Sequence, residues 1–399
     1  MNKALIVILA TILLDAIGAG LIVPILPDLL AEVSGDGDFG WLFGLLIAVY
    51  AGMQFVFSPV LGALSDRFDR RPVLLLSLAG ALLDYLFMAF SPWGWALVVG
   101  RSIAGITSAS MAVATAYVTD ITAPEDRAKR FGSMGAMMGL GFVLGPVLGG
   151  TLALGWLRAP FLAAALCNAA NLLLALFVLP ESRRVAAGEA SAPLRWSELN
   201  PLASLAWLGS LKSLLPVVVV FTLFSLIAMV PGTIWSLYGI DRFGWSPLDI
   251  GLSMSAFGIG MALTQAFATG WFTSRFGDYG TMLIGVGFDM LAFLLMGFAS
   301  EGWMTYALVP LFALGGIIMP ALQSLATRGV SEDEQGRLQG VMTSLGSVAA
   351  VVGPVLTTAV YFATREVAPA VAWFGGAGLY LVALSLATVG RRRIDPAAA

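Results

Sequence analysis

The sequence predicts an all-α integral membrane protein of twelve transmembrane helices, arranged as two pseudo-symmetric six-helix bundles. Three observations carry this expectation. The chain is 59% hydrophobic and only 11% charged, with mean hydropathy +0.90, whereas a soluble domain carries about 25% charged residues. So little charge cannot cover a water-facing surface. Twelve segments reach the roughly 20 mostly apolar residues that a spanning helix needs. Finally, short stretches of the first half recur in the second at a constant spacing.

The first run, 4–27, resembles a signal peptide, but its apolar stretch is too long and no small-residue cleavage site follows, so it reads as span 1. Spans 2 to 6 fall at 41–61, 72–90, 94–119, 131–154 and 159–179. The longest polar break then follows, over 180–212. Spans 7 to 12 fall at 214–239, 246–270, 281–299, 303–325, 337–362 and 369–389. In lipid a backbone must satisfy its own hydrogen bonds, so each run is expected to be a helix. The expected domains are an N-terminal bundle (1–180), a cytoplasmic linker (181–212) and a C-terminal bundle (213–399).

The basic residues test this order. Of the 21 Lys and Arg, 17 fall in segments on one side if both termini are cytoplasmic. Three (Arg158, Arg242 and Arg365) fall on the other side, and Arg101 falls within span 4. The bias predicts cytoplasmic termini.

The repeat is seen in three places. "GALSDRF" at 62–68 aligns with "GWFTSRF" at 270–276, "FGSM" at 131–134 with "QGVM" at 339–342, and "GPVL" at 145–148 with "GPVL" at 353–356. All three pairs lie 208 positions apart, which argues for an internal duplication of the kind found in many transporters.

Composition also excludes chemistry. With no histidine, there is no histidine metal site, Ser-His-Asp triad or imidazole proton switch. The one cysteine, Cys167, can form no intramolecular disulfide and is expected to be plain packing. A net charge of −3 suggests no polyanionic partner. No nucleophile–base pair or metal-ligand cluster is visible, so the chain is not expected to be an enzyme.

Three acids lie well inside predicted spans: Asp15, Asp84 and Asp289. Asp84 is 12 residues beyond Pro72 and Asp289 is 8 beyond Thr281, or about 18 and 12 Å along a helix. Both depths are near the bilayer middle, where a charge costs about 2.5–3.5 kcal/mol on insertion scales. Such residues face cavities and mark ion or substrate paths, although an acid can also serve as hydrogen-bonded glue between helices. A desolvated carboxyl is a natural proton carrier. Arg101 stays charged, so it is no simple carrier. It is placed either to bias a nearby acid or to snorkel to the interface.

Two further stretches stand out. "GALSDRFDRRPV" (62–73) is dense in charge. It reads either as a solvated inside loop or as a latch in which Asp66 and Arg70 bond across to another helix end or to the Arg127–Arg130 segment. "GFVLGPVLGG" carries Gly141, Gly145, Pro146, Gly149 and Gly150. Small residues four apart let helices approach closely, and proline bends them.

These motifs resemble those of the major facilitator superfamily. "GALSDRFDRRPV" is similar to its loop between helices 2 and 3, "GRSIAGI" to its helix-4 motif, and "GFVLGPVLGG" to the helix-5 motif of its drug/proton antiporters. "LLDAIGAGLIVPILPDLL", "SLAGALLDY", "GGIIMPALQSL" and "QGRLQG" look most like the tetracycline efflux antiporters. The likeness runs from residue 3 to about 380.

The resemblance implies alternating access of two six-helix halves around a central cavity, in a bacterial-type cytoplasmic membrane. It implies export of a drug, a tetracycline chelated to a divalent cation such as Mg2+, in exchange for protons drawn by the proton motive force. It implies no permanently bound cofactor, no nucleic acid and no obligate protein partner. Its proton-coupling and cavity positions fall on Asp15, Asp84, Asp289, Arg101 and Gln54. Its loop acid and base fall on Asp66 and Arg70; with the charged loop and its candidate partner segment, the expected latch is Gly62, Asp66, Arg67, Arg70, Arg71, Arg127 and Arg130. Its helix-5 motif falls on Gly141, Gly145, Pro146, Gly149 and Gly150, and the repeat adds Gly353 and Pro354 in the second half.

There are departures. Asp69 stands where the loop motif usually has glycine, Met261 where these exporters often have histidine, and Met229 where they often have glutamine. The last two leave open a different amphipathic cargo: a phenicol, a quinolone or a metabolite. A channel or a membrane enzyme is the remaining alternative class.

Overall fold

The computed structural model describes residues 3–35, 39–108, 110–181, 215–328, 330 and 334–389, apart from the side chains of residues 66, 68, 110, 112, 124, 128 and 336. The expected linker, 181–212, lies outside the described residues but for Glu181. The helices of the first half are α1 (Lys3–Ile22), α2 (Leu26–Ser34), α3 (Gly40–Phe68), α4 (Arg70–Phe90), α5 (Gly94–Thr107), α6 (Ser110–Ile121), α7 (Arg127–Ala153) and α8 (Ala159–Val178). Those of the second are α9 (Leu215–Phe243), α10 (Pro247–Leu263), α11 (Thr269–Phe298), α12 (Gly302–Gly315), α13 (Ile318–Arg328), α14 (Gln335–Thr364) and α15 (Val371–Val389).

Ten stretches are long and apolar enough to cross a membrane. One of them, Pro247–Phe298, is 52 residues long. It folds as two spans that meet at Gly277, where φ is 68° and ψ 174°. Span 4 is missing from the ten because it is broken into α5 and α6, each too short alone. With these two counted, the expected twelve spans are all present as helix.

The breaks correct two expectations. Spans 4 and 10 were expected as single helices, but span 4 breaks at Ser108 and span 10 at Gly316–Ile317. Residues 108 and 316 are again 208 positions apart. At the first break Ser77 Oγ on α4 donates to the Thr107 carbonyl at 2.5 Å. Gly80 makes room for the Thr107 side chain. At the second break the cause lies in the sequence itself. Pro320 has no N–H to return to the Gly316 carbonyl four residues back. Gln265 Nε2, in the π-helical turn Thr264–Ala268 after α10, donates to that carbonyl instead, at 3.2 Å.

The described chain groups into two compact units: Met1–Pro201 with Pro247–Leu252, and Leu202–Ser246 with Ser253–Ala399. Six residues placed by sequence in the C-terminal bundle therefore group with the first unit. Within it, Gly150 and Gly251 lack the side chains that would hold the backbones around 146–147 and 247–248 apart.

In the first unit, buried Leu5, Ile8 and Ile12 of α1 meet Leu74 and Leu78 of α4 and Tyr117 and Val118 of α6. The glycine motif of α7 faces α1: Gly141 lies on Ala16, Gly145 on the Ile17 carbonyl and Gly149 on the Leu21 carbonyl. Small-residue packing of this kind stands in for the hydrophobic effect, which does not drive helix association in lipid. Cys167 is exposed on α8 rather than packed inside. In the second unit the fully buried Trp373 of α15 meets the rings of Trp235, Tyr238, Phe293 and Phe312, at centroid distances of 5.3–6.2 Å.

Candidate functional site

In the first unit the expected polar residues converge. Asp84 on α4 is 1% exposed. Arg101 Nε, on α5, donates to Asp84 Oδ1 at 3.1 Å, and a terminal guanidinium nitrogen pairs with Oδ2. Arg101 thus does not snorkel; it is folded inward onto the acid. Gly100 allows this approach, since a side chain there would press on Asp84 Oδ1.

The guanidinium also lies 5.0 Å from the centre of the Tyr50 ring, within cation–π range. The Tyr50 hydroxyl is 3.1 Å from Ser108 Oγ, and Gln54 Nε2 donates to the same oxygen at 2.9 Å. One network therefore joins Asp84, Arg101 and Gln54 through two residues the sequence reading missed, Tyr50 and Ser108. Asp15 sits half-buried on α1 one turn before Gly18. Tyr85 packs against Gly18, within electrostatic reach of Asp15.

In the second unit Asp289 lies on the wall of a cavity of about 360 Å³. Tyr380 on α15 donates to Asp289 Oδ2 at 2.5 Å. Gly315, the last residue of α12, lets its backbone approach the Asp289 carboxyl. Trp235, Phe257 and Phe312 supply apolar wall, and Gln265 and Met261 complete it near the break. Of the two methionine departures, Met261 lines the cavity, while Met229 packs against Gly353 of α14. Pro354 lies inside the same helix. Tyr380 and Gln265 were missed by the sequence reading. Their signal was weak: a neutral polar group in an apolar run.

Arg70 takes the first of its two expected partners, another helix end. Its Nε bonds Asp120 Oδ2 at 3.3 Å, at the end of α6, and its terminal nitrogen donates to Ser65 Oγ at 2.9 Å. Ser65 Oγ in turn donates to the Gly62 carbonyl at 2.8 Å. The reason is reach: Arg70 opens α4, directly beside the end of α6. Arg127 instead donates to the Thr119 carbonyl at 3.4 Å. Arg67 and Arg130 are half-buried, and the Asp66 side chain lies outside the described residues.

Glu181, not expected, caps α4. Its Oε1 accepts the Arg70 backbone N–H at 2.9 Å and its Oε2 the Arg71 N–H at 3.2 Å. These N–H groups have no helical partner, so an acid there satisfies both and meets the positive end of the helix dipole. The Arg71 side chain donates to the Leu176 carbonyl at 2.5 Å.

Asp69, between α3 and α4, has φ 84° and ψ 153°. It is the one non-glycine residue at positive φ among those described. The residue 208 positions on is Gly277, with φ 68° and ψ 174°. A backbone position suited to glycine thus recurs in both halves, and the first half fills it with aspartate.

A multi-pass helical membrane protein with paired halves, acids inside its spans and a cavity facing one of them belongs to the transporter class. The chain belongs to the Major Facilitator Superfamily, whose family model matches residues 8–354 and, in a second match, 217–398. It is 48% identical over 96% of its length to the tetracycline resistance protein, class C, of Escherichia coli, and covers 96% of that protein. It is 43% identical to the class G protein of Vibrio anguillarum, over 97% of each chain. Among solved structures, the nucleoside transporter NupG shares the fold, with TM-score 0.77 at 17% identity over 99% of this chain and 100% of that one. The human organic anion transporter MFSD10 is 26% identical with TM-score 0.67, over 96% of this chain and 98% of that one.

Proposed function

We propose that the chain exports a tetracycline, carried as its divalent-metal chelate, across a bacterial cytoplasmic membrane in exchange for protons. Alternating access of the two halves moves the cargo, with both termini cytoplasmic. The observation that carries the reading is the contrast between buried Asp84 and half-buried Asp289. Asp84 is held by a permanently charged guanidinium. Asp289 is held by a neutral tyrosine on a cavity wall. Asp289 can keep that bond in either protonation state, because Oδ2 accepts it as carboxylate oxygen or as acid carbonyl. We therefore assign the exchanged proton to Asp289. Asp84 and Arg101, with Gln54, hold the polar network of the first half, and Asp15 stands beside it on α1. The names of the relatives, at up to 48% identity, support tetracycline as cargo.

One proton enters as one singly charged chelate leaves, so no net charge crosses and the proton concentration gradient drives the exchange: a tenfold gradient is worth about 1.4 kcal/mol and supports a roughly tenfold gradient of cargo. No cofactor is needed; Mg2+ travels with the drug. The test is drug-driven proton release from proteoliposomes given tetracycline and Mg2+. Release that requires both supports the reading, and equilibration that ignores a collapsed proton gradient would indicate a channel.

A second reading keeps the mechanism and changes the drug. Met261 on the cavity wall favours it, because a thioether offers no strong hydrogen bond. A resistance panel across tetracyclines, phenicols and quinolones separates the two.

A further inference from the structure

The ion pair Arg70–Asp120 has a counterpart in the second unit with its charges reversed. Residue 278, 208 positions after Arg70, is Asp278; residue 328, 208 positions after Asp120, is Arg328. Asp278 and Arg328 form an ion pair. Each pair joins the start of the third helix of its half, just after the Asp69 or Gly277 position, to the end of the broken fourth. A hydroxyl completes each: Ser65 Oγ accepts from Arg70 at 2.9 Å, and Ser324 Oγ donates to Asp278 Oδ2 at 2.7 Å. In each pair the residue at the helix start is the buried one, Arg70 at 7% and Asp278 at 3%.

Neither residue type is shared between the halves, so what the two positions have in common is the attraction itself. Coulomb attraction is unchanged when both signs are reversed and becomes repulsion when one is. We propose that Asp278, Arg328 and Ser324 form a brace that positions α11 against α13 for transport. The brace rests on the export reading above. Asp278 lies 11 residues before Asp289 on α11, about 16 Å along the helix. Arg328 ends α13, whose start follows the break beside Gly315, and Gly315 packs on the Asp289 carboxyl. The pair therefore ties the far ends of the two elements that bring Gly315 and the break against Asp289. Without it, α13 is free to shift on α11, and the wall around Asp289 shifts with it. These are positioning residues; none lines the cavity.

The test is a double-mutant cycle of Asp278→Asn and Arg328→Gln, with the swapped pair Asp278→Arg/Arg328→Asp and the conservative Arg328→Lys. Membrane abundance and the rate of tetracycline–Mg2+ uptake into everted vesicles are measured across pH. Arg328 is half-exposed, so its effect is screened, and each neutral single is expected to lower the maximal rate about three- to fivefold. The neutral double is expected to be no slower than the slower single. The swapped pair is expected to recover most of the rate that Asp278→Arg alone loses, and Arg328→Lys to stay near the parent rate.

Multiplicative loss in the neutral double would overturn the brace. So would a swapped pair no faster than its singles at parent abundance. If the swapped protein does not accumulate, the neutral cycle decides. If the parent moves no tetracycline, the drug assignment fails on its own. The same cycle read on the thermal midpoint of the solubilised protein then still decides the pairing: coupled midpoints support it and additive ones refute it.

Discussion

Tyr380 on α15 donates its hydroxyl to Asp289 Oδ2 on α11 at 2.5 Å, so residues 91 positions apart share one hydrogen bond on a cavity wall. The Tyr380 ring also packs on Phe224 and Phe293, at centroid distances of 5.8 and 5.5 Å. Tyr380→Phe keeps this packing and removes only the donor. We expect normal membrane abundance, a lower transport rate and a displaced pH–rate profile. An unmoved profile at the parent rate would assign the hydroxyl to packing alone. Asp289→Asn is expected to abolish uphill export altogether, read as loss of resistance.

The pair Asp84–Arg101 makes a sharper claim about stability. Removing one partner of a buried ion pair leaves an uncompensated charge and costs about 3–5 kcal/mol, whereas removing both is far milder. Asp84→Asn and Arg101→Gln should each lower the amount of folded protein in the membrane. The double variant should recover that amount but not transport. Recovery of transport in the double variant would show that neither charge takes part in coupling.

Asp69 is expected to yield a stabilising substitution. Its φ of 84° with ψ of 153° lies in a region used almost only by glycine, at a cost of roughly 1–3 kcal/mol for other residues. Its Oδ1 is also buried without a hydrogen-bond partner. Part of the gain from Asp69→Gly is offset by the greater chain entropy of glycine, leaving about 1 kcal/mol. The thermal midpoint of the solubilised protein should rise. A fall would mean that the aspartate contributes a contact worth more than the strain.

Glu181 ties the end of the first half to the start of α4 through the N–H groups of Arg70 and Arg71. Caps of this kind contribute about 0.5–2 kcal/mol. Glu181→Ala should lower the thermal midpoint, and Glu181→Gln, which keeps one acceptor oxygen, should lower it less. Equal midpoints for both variants and the parent would show that the cap contributes nothing.

Much of the fold was legible before any coordinates. Apolar runs announce spans because lipid leaves a backbone no partner but itself. The acids were legible for the converse reason: Asp15, Asp84 and Asp289 stand out because charge is costly at that depth. The breaks at Ser108 and Gly316 were not read, although Gly315, Gly316 and Pro320 signal the second one. An apolar-run criterion counts side chains and ignores which carbonyls lose their donors.

By itself the sequence determined the class of the molecule, its duplication at a spacing of 208 positions and the identity of its costly charges. The tertiary structure alone decided what each charge meets: a guanidinium for Asp84, a phenol for Asp289, the end of α6 for Arg70 and a helix start for Glu181. The physical reason is range. Burial and helix formation follow from local composition, but a hydrogen bond acts over about 3 Å. Residues many positions apart come that close only through the packing of whole helices.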